Sequence, residues 1–105
     1  MKVSKRTQKR RREVAKLDKE CREFVFERDK YACVRCGKKQ GIQWAHIITR
    51  SDKTLRHDPL NSFALCAGCH IFFWHKHPLE AIAWLRETFP GRYEYLLAKR
   101  REKYL

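Results

Sequence analysis

The chain has 105 residues, 43% of them hydrophobic and 12% aromatic, which allows one domain with a modest core and excludes a disordered chain. Its net charge of +13 is uneven: residues 1–12 hold seven Lys/Arg and no acid, residues 99–105 hold four bases and Glu102, and the middle holds fourteen bases against eleven acids. No run of about eighteen apolar residues exists to span a membrane, and the basic N-terminus lacks the apolar stretch of a secretory signal, so a cytoplasmic protein is expected.

Residues 1–12 read as a basic flexible arm, with Lys9, Arg10, Arg11 and Arg12 as candidate phosphate contacts. A helix is predicted over 13–30, with Val14, Leu17, Cys21 and Phe24 on its apolar stripe and Cys21 read as a small buried side chain. Residues 31–77 form the expected core unit. Tyr31–Cys33 reads as a short strand entering a metal knuckle, and Gly37 and Gly41 mark turns. Ile42–Ile48 is the best strand in the chain, with Trp44, His46 and Ile48 on one face and Gln43, Ala45 and Ile47 on the other. Thr49–His57 is polar and basic, hence a loop, and Asp58-Pro59 a turn before an extended segment over 60–65. His70–His77 can begin a helix. Phe72, Phe73 and Trp74 read as packing residues, with stacking on bases the alternative.

Residues 78–105 are expected as C-terminal helices packing on the core. Pro78 suits a first helical position, Leu79, Ile82, Leu85 and Phe89 outline an apolar face, and Pro90-Gly91 stops the run. Tyr93, Leu96, Leu97 and Tyr104 outline a last helix with a basic end. Such ends on a nearly balanced middle point to nucleic acid, with Lys99, Arg100, Arg101 and Lys103 at one end and Arg50, Lys53 and Arg56 in the loop.

The strongest motif is a pair of CxxC units, Cys33/Cys36 and Cys66/Cys69, separated by twenty-nine residues. Four soft thiolates suit a tetrahedral Zn²⁺ and leave it no site for water, so a structural zinc is expected; a disulfide framework or an iron–sulfur cluster is the alternative.

Inside that frame stand AHII with His46, DPLN with Asn61, and CAGCH ending at His70, nine residues after Asn61. Over about residues 31–75, and more weakly through His77–Trp84, this pattern resembles the HNH endonucleases, most nearly small phage-type members such as NinG-like recombination nucleases. The resemblance implies an α+β fold, a small zinc-stapled ββα-metal domain with flanking N-terminal and C-terminal helices, acting on DNA in a bacterial or phage-infected cell. It implies His46 as general base, Asn61 holding the loop and orienting that imidazole through its amide, and His70 as a ligand of a catalytic Mg²⁺ or Mn²⁺, with products ending in 5′-phosphates. An imidazole suits the base because it is neutral near pH 7. Many members carry a metal-ligating Asp or His before the base, where this chain has Ala45. The missing ligand is sought at His75, five residues beyond His70, with His57 and Asp58 as further candidates. The alternatives are a non-catalytic zinc-ribbon module that binds nucleic acid and a phage assembly or adaptor protein.

Overall fold

A computed structural model describes residues 2–104, with the side chain of Tyr104, expected on the last helix, outside the described part. Helix α1 (Lys5–Arg28) is followed by strand β1 (Ile42–His46), a 3₁₀ turn (Pro59–Asn61), strand β2 (Ser62–Cys66), a π-helical segment (Cys69–His75), α2 (Pro78–Thr88) and α3 (Pro90–Tyr104). The protein is therefore a small α+β domain. No helix among the described residues is long and apolar enough to cross a membrane.

The basic arm is not loose chain. Ser4 caps α1, its hydroxyl accepting from the Thr7 amide at 3.2 Å, so residues 5–12 are the first turns of the helix and the expected start at Glu13 is corrected. A Ser cap ahead of Lys, Arg and Gln, all good helix formers, favours this start despite the charge. The buried residues of α1 are Cys21 and Val25, against Trp44, whereas Leu17 and Phe24 are 46% and 57% exposed. The expected stripe is thus turned. The five-residue strands offer α1 a short landing, and the Cys21/Val25 pair, one turn apart, takes it.

After Arg28 the chain turns through Lys30 (φ 59°) and Tyr31 (φ 54°), a left-handed pair without glycine, in place of the expected strand. That turn is held down. Arg28 donates to the carbonyls of Pro59 (2.6 Å) and Ser62 (2.8 Å), and the Asp29 carboxylate accepts from the Ala64 amide at 2.9 Å. Gly37 and Gly41 have φ of +81° and +65°, as their turns require.

β1 and β2 pair antiparallel, Ala45 opposite Phe63 and His46 opposite Ser62. Trp44 turns to α1 and donates to Ser62 Oγ at 2.8 Å, while Ala45, Phe63 and Leu65 join Trp74, Ala81 and Leu85 in the main core. Phe63 is fully buried with its ring 5.2 Å from Trp74 and 5.5 Å from Trp84. On α2 the inward residues are Ala81, Trp84 and Leu85; Leu79 and Ile82 are 83% and 42% exposed, contrary to the face predicted for them. Both stripes satisfy helical spacing, and Trp84 decides between them because its ring fills the space beside Phe63. Phe72 is likewise exposed, with Trp74 the buried member of its run.

Candidate active site and metal centre

The Sγ atoms of Cys33, Cys36, Cys66 and Cys69 all lie within 4.8 Å of one another, with Cys36 exposed and the others buried. Four thiolates sharing one zinc at about 2.3 Å stand a little under 4 Å apart, so these residues can hold a metal ion such as zinc. The turns are built for it. The Cys69 amide points at Cys66 Sγ (3.4 Å), and the Gly37 amide closes the first knuckle onto the Cys33 carbonyl (2.8 Å). The Val34 amide donates to the Ala64 carbonyl (3.0 Å), anchoring that knuckle to β2. Arg35 reaches Cys69 Sγ at 3.4 Å, and its guanidinium lies 3.6 Å from the centre of the Phe73 ring.

Next to Cys69 the chain turns His70 the other way, into a groove of about 280 Å³ lined by Trp44, His46, Thr49, Arg50, His70 and His75. The π-helical geometry explains the unusual spacing. In an α-helix residues five apart diverge, but an i→i+5 turn brings them over one another. The His70 and His75 rings are 4.6 Å apart, with their Nε2 atoms at 2.9 Å. His70 Nδ1 is 2.8 Å from Gln43 Oε1. An amide oxygen can only accept, so Nδ1 carries the proton and Nε2 presents a lone pair towards His75. This is the tautomer a metal-binding imidazole needs, with the outer nitrogen held by a hydrogen bond. Two nitrogens bound to one ion at about 2.1 Å and a right angle stand roughly 3 Å apart, so the pair fits a single divalent ion. Burial pushes the His70 imidazole below the ordinary histidine value, and His75 and Arg50 add to the shift.

His46 is held by the same logic. Its Nε2 is 2.9 Å from the Arg56 carbonyl oxygen, which also only accepts, so Nε2 is protonated and Nδ1 keeps the lone pair. Burial lowers the affinity of this imidazole for a proton; the carbonyl hydrogen bond opposes, and the Arg50 and Arg56 cations lower it further. Arg50 Nε donates to Nδ1 at 3.4 Å, and its guanidinium lies 5.2 Å from the centre of the Trp44 ring. The groove therefore gathers three imidazoles and a guanidinium.

Asn61 does not touch the imidazole. It is fully buried, accepts from the Ile48 amide (2.7 Å) and donates to the carbonyls of Ile48 (2.9 Å) and Leu55 (3.0 Å). It holds both ends of the loop that carries Arg56, and the expected amide–imidazole contact is replaced by this indirect one. His57 and Asp58 are engaged elsewhere. His57 Nε2 lies 2.7 Å from Asp18, and Asp58 accepts from the Leu60 amide and the Tyr95 hydroxyl. Ala45 is fully buried in the core, facing away from His46.

Of the predicted DNA contacts, Lys9–Arg12 are exposed on α1, and Arg50 and Lys53 are exposed in the loop. Arg56 is engaged within the protein. Its guanidinium pairs with Asp18, at 2.6 and 2.9 Å. Lys99, Arg100 and Arg101 lie exposed on α3, where Lys99 is 3.9 Å from Glu102, and Lys103 reaches Asp52 at 3.4 Å.

Gln43, Asp18 and the Arg56 carbonyl are site residues that sequence reasoning missed. Gln43 stands two residues from Ala45 on the same strand face, and that alternation was the one signal for it. No protein-family model matches this chain, and neither a curated protein nor a solved structure matches it.

Proposed function

We propose that this protein is a metal-dependent DNA endonuclease of the HNH type, with β1, β2 and the π-helical segment as its ββα-metal unit. The observation that carries this reading is the groove itself. His46, with Nε2 tied to a carbonyl and Nδ1 accepting from Arg50 at 3.4 Å, opens onto the same space as the facing His70 and His75. His46 Nδ1 takes the proton from a water that attacks a backbone phosphate, and burial keeps that imidazole neutral at pH 7. His70 and His75 would hold a divalent ion, which when bound supplies positive charge to the phosphate and to the leaving oxygen. Gln43 orients His70, and Asn61 with the Arg56 carbonyl orients the base. Arg50 stands where its charge meets a scissile phosphate.

The ligand set refines the metal. No carboxylate lines this groove among the described residues, and imidazoles favour Mn²⁺, Ni²⁺ or Zn²⁺ over Mg²⁺. The Cys33, Cys36, Cys66 and Cys69 cluster holds a structural zinc in this reading. The cations of α1, of the loop at Arg50 and Lys53, and of α3 bind DNA phosphates.

Plasmid cleavage in Mn²⁺ or Ni²⁺, abolished by EDTA, is the direct test. His46→Ala is expected to lose at least about a hundredfold in rate with DNA affinity within about twofold, since general-base catalysis supplies that much. Equal rates in the two proteins would remove His46 from its role. A second reading, a zinc-ribbon module that only binds nucleic acid, draws on the same absence of a carboxylate from the groove. In that case the plasmid is bound and stays intact with every metal.

A further inference from the structure

The oxygen that fixes His46 belongs to the peptide joining Arg56 to His57. What holds this peptide fixes the shorter of the two hydrogen bonds that set the tautomer, the other being the 3.4 Å bond from Arg50 to Nδ1. Its backbone neighbours are secured: the Arg56 amide donates to the Asp52 carbonyl at 3.0 Å, and the Leu55 carbonyl accepts from Asn61 and, at 3.2 Å, from the Asp58 amide. These contacts close the turn at its ends, and the peptide plane between them still has two possible tilts. The two side chains flanking that plane both end on one carboxylate, Asp18 of α1. Asp18 Oδ1 accepts from Arg56 Nε at 2.9 Å and lies 2.7 Å from His57 Nε2, and Oδ2 accepts from the second Arg56 nitrogen at 2.6 Å. The group is well shielded, with side-chain exposures of 18% for Asp18, 26% for Arg56 and 23% for His57.

We propose that Asp18 is a positioning residue for the catalytic base. By gripping both sides of the 56–57 peptide, it aims the Arg56 carbonyl at His46 Nε2, so that Nδ1 stays deprotonated and faces the groove. The inference rests on the reading of the groove as a nuclease site. Its consequence is that α1, whose N-terminal turns carry the basic residues, is part of the framework of the active site. The carboxylate never meets water or phosphate in the reaction; it acts at two removes, through a side-chain clamp and then a peptide plane.

The test compares Asp18→Asn, Arg56→Gln and the double variant in the full chain with its metal. Asn keeps the shape of Asp18 and loses its charge, and Arg56→Gln leaves the carbonyl in the chain while releasing its anchor. Long-range ¹H–¹⁵N spectra of the imidazoles, assigned by His46→Gln, read the tautomer of His46 without reference to cleavage. Wild type is expected to show the Nε2–H form alone, and both single variants a mixture with the Nδ1–H form. In cleavage, kcat should fall roughly 10- to 100-fold with KM within about twofold, the scale of a small misplacement of a catalytic group. The double variant should be no worse than either single one, because both remove the same clamp.

A His46 tautomer unchanged in Asp18→Asn, with only the melting temperature lowered, would overturn the proposal and leave Asp18 a structural tether. Losses that multiply in the double variant would overturn it too, by separating Asp18 from Arg56. If wild type cuts no DNA, the nuclease reading fails, while the spectra still decide whether Asp18 sets the tautomer.

Discussion

Cys69 and His70 are neighbours in the chain, yet they belong to two sites built on opposite terms. The thiolate cluster gathers four ligands from two distant knuckles, three of them buried, and leaves an ion no vacant position. The imidazole pair comes from one helical segment, lies beside a groove and leaves most of an ion's coordination to water or substrate. The first can only hold the chain together. In the proposed reading, the second is the one that does chemistry. One peptide bond separates them, so the rigidity of the cluster becomes the precision of the pair.

The largest test of this contrast is Cys66→Ser. Structural zinc sites contribute on the order of 10 kcal/mol to folding, so losing one ligand should abolish cooperative thermal unfolding or lower Tm by more than about 10 °C. A normal melting curve by circular dichroism would mean the cluster is idle. His75→Ala should do the reverse. Its Tm without added Ni²⁺ or Mn²⁺ should stay within about 2 °C of wild type, since His75 is exposed, while the stabilisation of wild type by those ions should vanish. A metal shift surviving in that variant would place the ion elsewhere.

Gln43→Leu sharpens the comparison further. It keeps the strand and removes the acceptor for His70 Nδ1, and should weaken metal affinity about 10- to 100-fold by calorimetry. The smallest effect is a pH dependence. Asp18 is held down to about 2, from an ordinary 3.8, chiefly by its hydrogen bond from Arg56 against the opposing effect of burial. A carboxylate lowered on folding stabilises the protein above its unfolded value and ceases to as the proton goes on. The Tm difference between wild type and Asp18→Asn should therefore be full above pH 4 and shrink as pH falls towards 2. A constant difference would mean that charge is not what the clamp uses.

The contrast also marks what could be read from the chain. Thiol spacing is a local pattern with one common use, and Cys33, Cys36, Cys66 and Cys69 come together as their spacing predicts. His46 and His70 were legible as a pattern, and they share the groove. His75 was harder, because α-helical periodicity argues against a spacing of five and only the π-helical turn supplies it. The Arg56 carbonyl was beyond reach, since every residue has one and nothing in a side chain says where it points. Asp18 read as one of many charges on a polar helix, and the basic arm as loose chain, because a capping serine is a weaker signal than seven cations. Helix faces failed where two stripes fit the same period, as with Leu79 against Trp84.

The π-helical turn also works as a gear between chemistry and packing. Each residue of an α-helix advances the chain by about 100°, so the extra residue in this turn sets the angle at which everything after His75 leaves it. Removing one residue here, for instance the exposed Phe72, would give the two histidines the four-residue spacing of an ordinary α-helix and could leave them paired. It would also shorten by one residue the path to the break at His77 (φ −125°, ψ 67°) from which α2 starts, pulling on Trp84 and Leu85 where they pack by Phe63. The segment is therefore an index mark: insertions and deletions that the ligand pair would tolerate are forbidden by the core on its far side.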